Sequence, residues 1–421
     1  MLSTMEVLYR ICCGLDVHKL TIVACLVSVL PDGQRQKEFR EFVTTTDGLV
    51  ALVNWLGEAN CTHVAMESTG VYWKPIYNAL TLSGLFDDVM VVNAAQIKAV
   101  PGRKTDIRDA EWIADLLQHG LLRASFIPCQ AQRELRDLTR TRTILTDERS
   151  SAVNRLQKVL EDANIKLASK KLVTDIMGVS GRLMLEAILE GHSSPEAIAE
   201  LAKGKLRKKR AELEKALVGV VREHHKLLLA MHLEQIELLD EQIARLSQEI
   251  AERLRPFEEE LARLDTIPGV GPRTAEVIAA EVGFDMSHFP TAGHLASWAG
   301  MCPGNDQSAG KRLGGKTRKG DKWLRRALIE AGVAAGRKND CYLQAQYRRL
   351  RYRRGPKKAA VAVGHSILVI AYHLLTRKED YHDLGPTYLD ERRRERAKRR
   401  ALAQLDALGF EATLTPKRSA A

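Results

Sequence analysis

The sequence predicts an α/β N-terminal domain joined to a mainly helical remainder. Three observations carry that reading. The first 93 residues hold five short runs rich in β-branched residues, the first three separated by turns and the last two by helical stretches. After Gln118 the period changes from two to 3.6, with Leu and Ile recurring at three- and four-residue spacing. A chain of 421 residues is also long enough for two or three cores. The expected divisions are 1–125 (α/β), 126–263 (helical linker and coiled coil), 264–376 (mainly α, with a helix-hairpin-helix-like motif) and 377–421 (a basic, charged tail).

Tyr9–Lys19 is a short apolar run that carries Asp16. Leu20–Leu30 is the second strand, Pro31-Asp-Gly-Gln34 a turn, and Arg35–Thr44 a third strand. The chain therefore begins as an antiparallel meander with Asp16 inside its first strand. A carboxylate in a central strand is costly unless it is paired or holds a metal; at a strand end in solvent it needs neither. Thr46–Asn60 is amphipathic, with Leu49, Leu52, Val53 and Leu56 on one side. Thr62–Gly70 is the fourth strand, with Glu67 toward its C-terminal end. Val71–Leu82 is helical with an aromatic start, and Val89–Asn93 is a fifth strand. Pro101-Gly102 breaks the chain, after which Ala110, Ile113, Ala114 and Leu117 recur at helical spacing. Asp106 and Asp109 open that helix, their Cβ atoms roughly 5–6 Å apart. Two carboxylates so close repel unless a cation lies between them. Acids at a helix N-terminus also suit its dipole, so this pair alone does not decide.

Beyond Gln118, Pro128–Leu160 is a long helix rich in Arg and Gln, and residues 161–205 continue as shorter helices broken near Gly178, Gly181 and His192-Ser-Ser-Pro195. Lys203–Arg210 is a dense basic cluster, suited equally to a polyanion and to a solvated helix start. Leu229, Ile236, Leu239, Ile243, Leu246 and Ile250 fall near a 3-4 repeat, the seam of a coiled coil. Two occupants fit that seam: a second chain, which makes a dimer, or another helix of the same chain. Leu264–Gly283 has the pattern of a helix-hairpin-helix. Its Gly269-Val-Gly271 turn either offers backbone N–H groups to a phosphate or is simply a tight turn. Phe289–Met301 is a further small-residue helix. In Cys302–Arg326, eight Lys or Arg fall between 311 and 326 against one acid, Asp321, with glycines at 304, 310, 314, 315 and 320. Such a segment reads as a loop able to follow a phosphate backbone. Trp323–Ala335 is a helix over it, and Tyr347–Lys358 interleaves aromatics with cations. Ala359–Leu375 is the most apolar run; it is short, holds His365, Ser366 and His373, and reads as a buried helix, not a membrane span. Arg377–Ala421, with an Arg-rich run at 392–400, reads as partly disordered or helical only when bound.

The formal charge of +11 and a pI near 9.3 favour a polyanionic partner. Seven cysteines, odd in number and without a CxxC pair, point to a reducing cytoplasm and away from structural zinc. No secretory signal pattern opens the sequence.

Four motifs now stand in one order: Gly14-Leu-Asp16-Val-His-Lys19, Met66-Glu67-Ser-Thr-Gly70, Lys104-Thr-Asp106-Ile-Arg-Asp109-Ala110 and Ser308-Ala-Gly-Lys311. The order of elements and the placement of the acids resemble the ribonuclease-H-like nucleases, specifically the RuvC-type resolvase branch. They resemble more closely the DEDD transposases of bacterial insertion sequences, recombinases guided by a bridge RNA. Each motif alone is short; four in sequence, from about residue 14 to 335, are specific. The resemblance implies a RuvC-like domain over 1–125. It also implies donor and target DNA as substrates, a structured guide RNA as partner, a homo-oligomer (dimer or tetramer) joined by a coiled-coil arm, and a place in the bacterial cytoplasm at the nucleoid. It further implies that Ser308, by its surroundings an ordinary turn residue, attacks DNA and becomes joined to it.

The chemistry of Asp16, Glu67, Asp106 and Asp109 stands beside that resemblance. Hard oxygen donors suit Mg2+ or Mn2+. Two such ions about 3.5–4 Å apart activate the attacking oxygen and stabilise the leaving one. Asp16 would bridge both ions, Glu67 would hold one, and Asp106 with Asp109 the other. His18 reads as an ordinary polar residue. A serine hydroxyl needs a base or a metal to attack, and no His–Asp partner stands near Ser308 in sequence, so the metal site would supply that activation. Candidate nucleic-acid contacts are Lys104, Gly269, Gly271, Lys311, Arg312, Lys316, Arg318, Lys319, Arg325 and Arg326. Two rivals remain. A metal-dependent, structure-specific endonuclease would use water and not Ser308. A non-catalytic nucleic-acid-binding protein would gain nothing from four negative charges on a phosphate-facing surface.

Overall fold

The structure, a computed structural model, describes residues 6–68, 70–93, 97, 105–169, 172–191, 194–304, 306–308, 311–314, 317 and 319–413, with the backbone alone at 306–308 and 311–314. The chain divides into two compact units, Met1–Ile127 and Pro128–Ala421.

The N-terminal unit runs β1 (Ile11–Val17), β2 (Thr21–Val29), β3 (Arg35–Val43), α1 (Thr46–Glu58), β4 (His63–Glu67), α2 (Trp73–Ser83), β5 (Asp88–Val92) and α3 (Asp106–Gln118). The five strands form one sheet in the order β3-β2-β1-β4-β5. The first three strands are an antiparallel meander, and β4 and β5 run parallel to β1. This mixed sheet with its helices is compatible with a ribonuclease-H-like fold. β1 and β2 are mostly apolar, Asp16 apart, because both faces of the sheet centre are covered. On one face Cys13, Leu15, Val17, Ile22 and Leu26 pack with Leu52, Trp55 and Leu56 of α1 and Ile76 and Leu80 of α2. On the other, Cys12, Cys25, Val27 and Ala65 pack with Ala110, Ile113, Ala114 and Leu117 of α3. β3 is an edge strand and carries charges; its Arg35 reaches Asp115 (2.5 Å) and its Lys37 reaches Glu111 (2.8 Å), both on α3.

The C-terminal unit is mostly helical. It comprises α4 (Gln130–Asp162), α5 (Val179–Glu190), α6 (Pro195–Glu200), α7 (Arg210–Leu217), α8 (Glu223–Leu254), α9 (Glu258–Asp265), α10 (Pro272–Val282) and α11 (Ala292–Trp298). There follow β6 (Asp306–Ser308), β7 (Lys311–Gly314), α12 (Lys322–Ala335), α13 (Tyr342–Arg354), α14 (Pro356–Arg377) and α15 (Tyr388–Ala407). α4 and α8 lie antiparallel. Leu156 and Leu160 share a core with Leu229 and Ile236, and Leu135 shares one with Ile250 and Leu254. The apolar seam read from the sequence is thus filled by a helix of the same chain. Leu227, Leu228, Met231 and Leu238 remain exposed on α8.

The hairpin between α9 and α10 docks on α12. Gly269 has φ +93°, and a Cβ there would lie 2.4 Å from the Ala331 carbonyl and 2.6 Å from the Ala335 nitrogen. Glycine is therefore required at this position by conformation and by space. The basic segment expected as a loop contains a short β-hairpin, β6 paired with β7. α14 is long and apolar enough to cross a membrane by length and composition, but Ala359, Val363, Ile367, Leu368 and Ala371 are buried, and Gly332 of α12 meets its Ala360 carbonyl closely. α15 is a helix that buries no residue.

Candidate metal centre

Strand alternation places the first acid. Cys12, Gly14 and Asp16 of β1 face α3, while Cys13, Leu15 and Val17 face the opposite core. β4 runs beside β1 with Gly14 opposite Ala65 and Leu15 opposite Met66. Glu67 therefore follows in register beside Asp16, on the face it shares with Ala65. α3 crosses this face so closely that a Cβ on Gly14 would lie 2.4 Å from the Ala110 carbonyl and from the Ala114 nitrogen. That close approach brings the helix start over the end of β1. Thr105 caps α3 by accepting the Arg108 N–H, and Asp106 and Asp109 stand in the first turn.

The result is a convergence. His18 Nε2 lies 3.1 Å from Asp16 Oδ2 and 3.5 Å from Asp106 Oδ2. Burial pushes the Asp16 carboxyl above its ordinary range. The Asp106 and Asp109 carboxylates add to that push, and His18 opposes it. Donor atoms of Asp16, His18 and Asp106 lie within 4.8 Å of one another. His18 was the residue that sequence reasoning set aside as merely polar. The signal for it was Asp16-Val-His18, a spacing of two that continues the strand's alternation.

A second group, Asp162, His224 and His225, has donors equally close. His225 Nδ1 accepts the Arg222 backbone N–H at 3.2 Å, which places the ring proton on Nε2, and Nε2 lies 2.8 Å from Asp162. Both nitrogens of His225 are thereby used, so this group is a hydrogen-bonded cap on α8 and not an ion site.

In the C-terminal unit Ser308 ends β6 and pairs with Lys311 at the turn of the hairpin. Arg312 lies on β7 opposite Gln307. Lys104, Lys316 and Arg318 lie outside the described residues, as do the side chains of Ser308, Lys311 and Arg312. Lys319 is exposed. Arg325 donates to the Gly300 carbonyl at 3.4 Å. Arg326 is engaged by Asp147 (2.7 Å) and Glu330 (2.9 Å). Gly269 is accounted for by its packing on α12, whereas a Cβ on Gly271 would meet nothing within 4 Å.

One further cluster lies between α4, α10 and the start of α12. Glu281, fully buried, faces Arg136 (3.2 Å) and Arg140 (2.7 Å). Arg140 also reaches Asp321 Oδ2 at 3.1 Å, while Asp321 Oδ1 accepts the Trp323 and Leu324 N–H groups and caps α12. The acid that stood alone in a basic stretch thus fastens the end of the hairpin segment to α4 and α10.

Comparison with known proteins places these features. Residues 13–165 match a DEDD-type IS110 family model described as a transposase, and residues 261–348 match a model described as the transposase IS116/IS110/IS902 family. Together the two spans take in more than half of the chain. The chain belongs to the IS110/IS116/IS902 transposase family. It is similar to a probable family 20 transposase of Pseudomonas aeruginosa, 27% identical over 76% of this chain and 85% of that protein. It is similar also to the transposase for insertion sequence element IS1111A of Coxiella burnetii, 24% identical over 72% of this chain and 75% of that protein. The transposase for insertion sequence element IS1328 of Yersinia enterocolitica is 26% identical over 67% of this chain and 73% of that protein. As a transposase of IS110-family insertion sequences, the protein acts on DNA by cutting and rejoining strands. Asp16, Glu67, Asp106 and Asp109 all fall in the first matched span, and Gly269, Gly271 and Ser308 in the second. DEDD-type membership goes with divalent-metal use, and the donor set fits it. Hard oxygens from a strand and a helix converge, and the charge of Asp106 and Asp109 is felt at Asp16.

Proposed function

We propose that this transposase cuts and rejoins DNA by transesterification, with Asp16, Glu67, Asp106 and Asp109 as the metal ligands and Ser308 as the nucleophile. The observation that carries the reading is the convergence of Asp16 with Asp106, 3.1 and 3.5 Å from one shared His18 nitrogen, on the sheet face to which Glu67 also belongs. Two Mg2+ or Mn2+ ions bound there would lower the proton affinity of the attacking hydroxyl and neutralise the leaving oxygen. Asp16, 13% exposed, would hold the centre to the sheet. Asp106 and Asp109 would hold it to the helix start, and Glu67 would close it from β4. Ser308 Oγ attacks the phosphorus, its proton leaves, the strand's sugar oxygen departs, and a serine–phosphate ester remains. A hydroxyl from the second DNA then attacks that ester and frees the serine. One phosphodiester is exchanged for another, so no outside energy source is needed.

Sequence choice falls to a structured guide RNA that pairs with donor and target. The protein, at formal charge +11, follows the shape and backbone of these helices, and several copies assemble on them. The family resemblance supports this part, with the basic balance beside it.

Covalent trapping tests the chemistry. Protein, co-purifying RNA, donor and target DNA are incubated with Mg2+ and denatured. A protein–DNA adduct is expected in the wild type and lost in both Ser308→Ala and Asp16→Ala. Cleavage without an adduct, undiminished in Ser308→Ala but lost in Asp16→Ala, would make this a hydrolytic nuclease of the resolvase kind.

A further inference from the structure

We infer that His18 is itself a ligand at this centre and biases it toward manganese over magnesium, an inference that rests on the carboxylate reading above. His18 follows Asp16 by two residues, so strand alternation carries both side chains to the α3 face. The short turn into β2 fixes the His18 backbone, whose N–H donates to the Thr21 carbonyl at 2.9 Å. From that anchor one ring nitrogen faces two carboxylates on different elements.

The distances suit ligands sharing an ion, which would take the place of the hydrogen bond that His18 Nε2 makes with Asp16 Oδ2 in the metal-free chain. Oxygen donors about 2.0–2.1 Å from an octahedral ion stand roughly 3–4 Å from one another. His18 Nε2 is 3.1 Å from Asp16 Oδ2 and 3.5 Å from Asp106 Oδ2. A histidine serving only to hold the fold would satisfy one buried carboxylate. His18 instead bridges Asp16, which is mostly enclosed, and Asp106, whose side chain is 61% exposed, and its own ring is 46% exposed. An exposed ring lets water meet Nδ1–H while Nε2 gives its lone pair to an ion.

A nitrogen donor changes which ion is preferred. Magnesium favours oxygen and keeps its water, whereas imidazole suits transition ions, which bind N-containing sites more tightly. Four carboxylates alone would take either ion. With His18 added, the set weights toward Mn2+.

Pulsed electron paramagnetic resonance on the full chain, with Mn2+ alone as probe, reads a directly bound nitrogen. Calorimetric competition then reads Mn2+ against Mg2+. The wild type is expected to show nitrogen coupling and a Mn2+ preference. His18→Ala is expected to lose the coupling and much of the preference while still binding Mn2+ through the acids, with unchanged thermal unfolding in the absence of ion. Mn2+ bound without nitrogen coupling, or coupling that survives in His18→Ala, would overturn the role of His18 and leave the carboxylate centre standing. No Mn2+ binding, or binding untouched by Asp16→Asn, would overturn both.

Discussion

Replacing Gly14 by alanine should separate α3 from β1 and, with it, Asp106 and Asp109 from Asp16. The new Cβ would lie 2.4 Å from the Ala110 carbonyl and from the Ala114 nitrogen, and 2.9 Å from the Ala114 Cα. These are backbone atoms and cannot rotate away. Ordinary contact begins at about 3.5 Å, so α3 must retreat by about 1 Å. Overpacking of this kind costs about 1–3 kcal/mol. The reduced freedom of the unfolded chain returns about 0.4–1 kcal/mol. A net loss of about 1–2 kcal/mol follows, a factor of roughly ten in local opening. Hydrogen exchange at the α3 amides reads that factor, and Mn2+ titration reads the spread of the ligands. Gly271→Ala is the control, because its Cβ would meet nothing within 4 Å and its backbone is extended at φ −125° and ψ 175°. Wild-type exchange at α3 together with unchanged Mn2+ affinity in Gly14→Ala would refute the argument that this close approach positions the acids.

Three further outcomes are expected. Glu281→Ala leaves Arg136 and Arg140 facing each other without their buried partner, and removing one member of a buried ion pair costs about 3–5 kcal/mol; the urea midpoint reported by tryptophan fluorescence should fall accordingly, and an unshifted midpoint would show the network to be dispensable. Burial pushes the thiols of Cys12, Cys25 and Cys61 up to about 12 and that of Cys13 well above the ordinary value, so brief alkylation of the native protein at pH 8 should mark Cys129 and Cys302 and spare these four, as read by peptide mass spectrometry. Asp16 has its carboxyl raised above the unfolded value of 3.8, chiefly by burial; the folded state therefore binds more protons in that window, stability without metal falls as pH rises through it, and Asp16→Asn should raise the metal-free melting temperature above the window but not below it.

How much of this was legible in the sequence depends on whether the deciding contact is local. The five strands were legible because alternation and apolar runs are properties of neighbouring residues, and Asp16 and Glu67 stood out as acids against them. His18 was not, although its spacing from Asp16 was in view. Its meaning comes from Asp106, which only the crossing of α3 over Gly14 brings to it. The seam of α8 shows the same limit. A 3-4 repeat specifies a partner helix but not whose, and only the packing of Leu135, Leu156 and Leu160 of α4 against it names the occupant. Part of that polar excess is structural: Arg136, Arg140 and Arg142 point back to Glu281 and Glu276 of α10. Glu281 was the place where the sequence did carry a clue. It falls three residues after Ile278 and beside Val282, on the buried face of α10. A carboxylate on an apolar stripe demands a cation. The arginine-rich helix that meets that demand is α4, so one charge on an apolar stripe pointed to a contact that Leu135, packed with Ala279 and Ala280, completes.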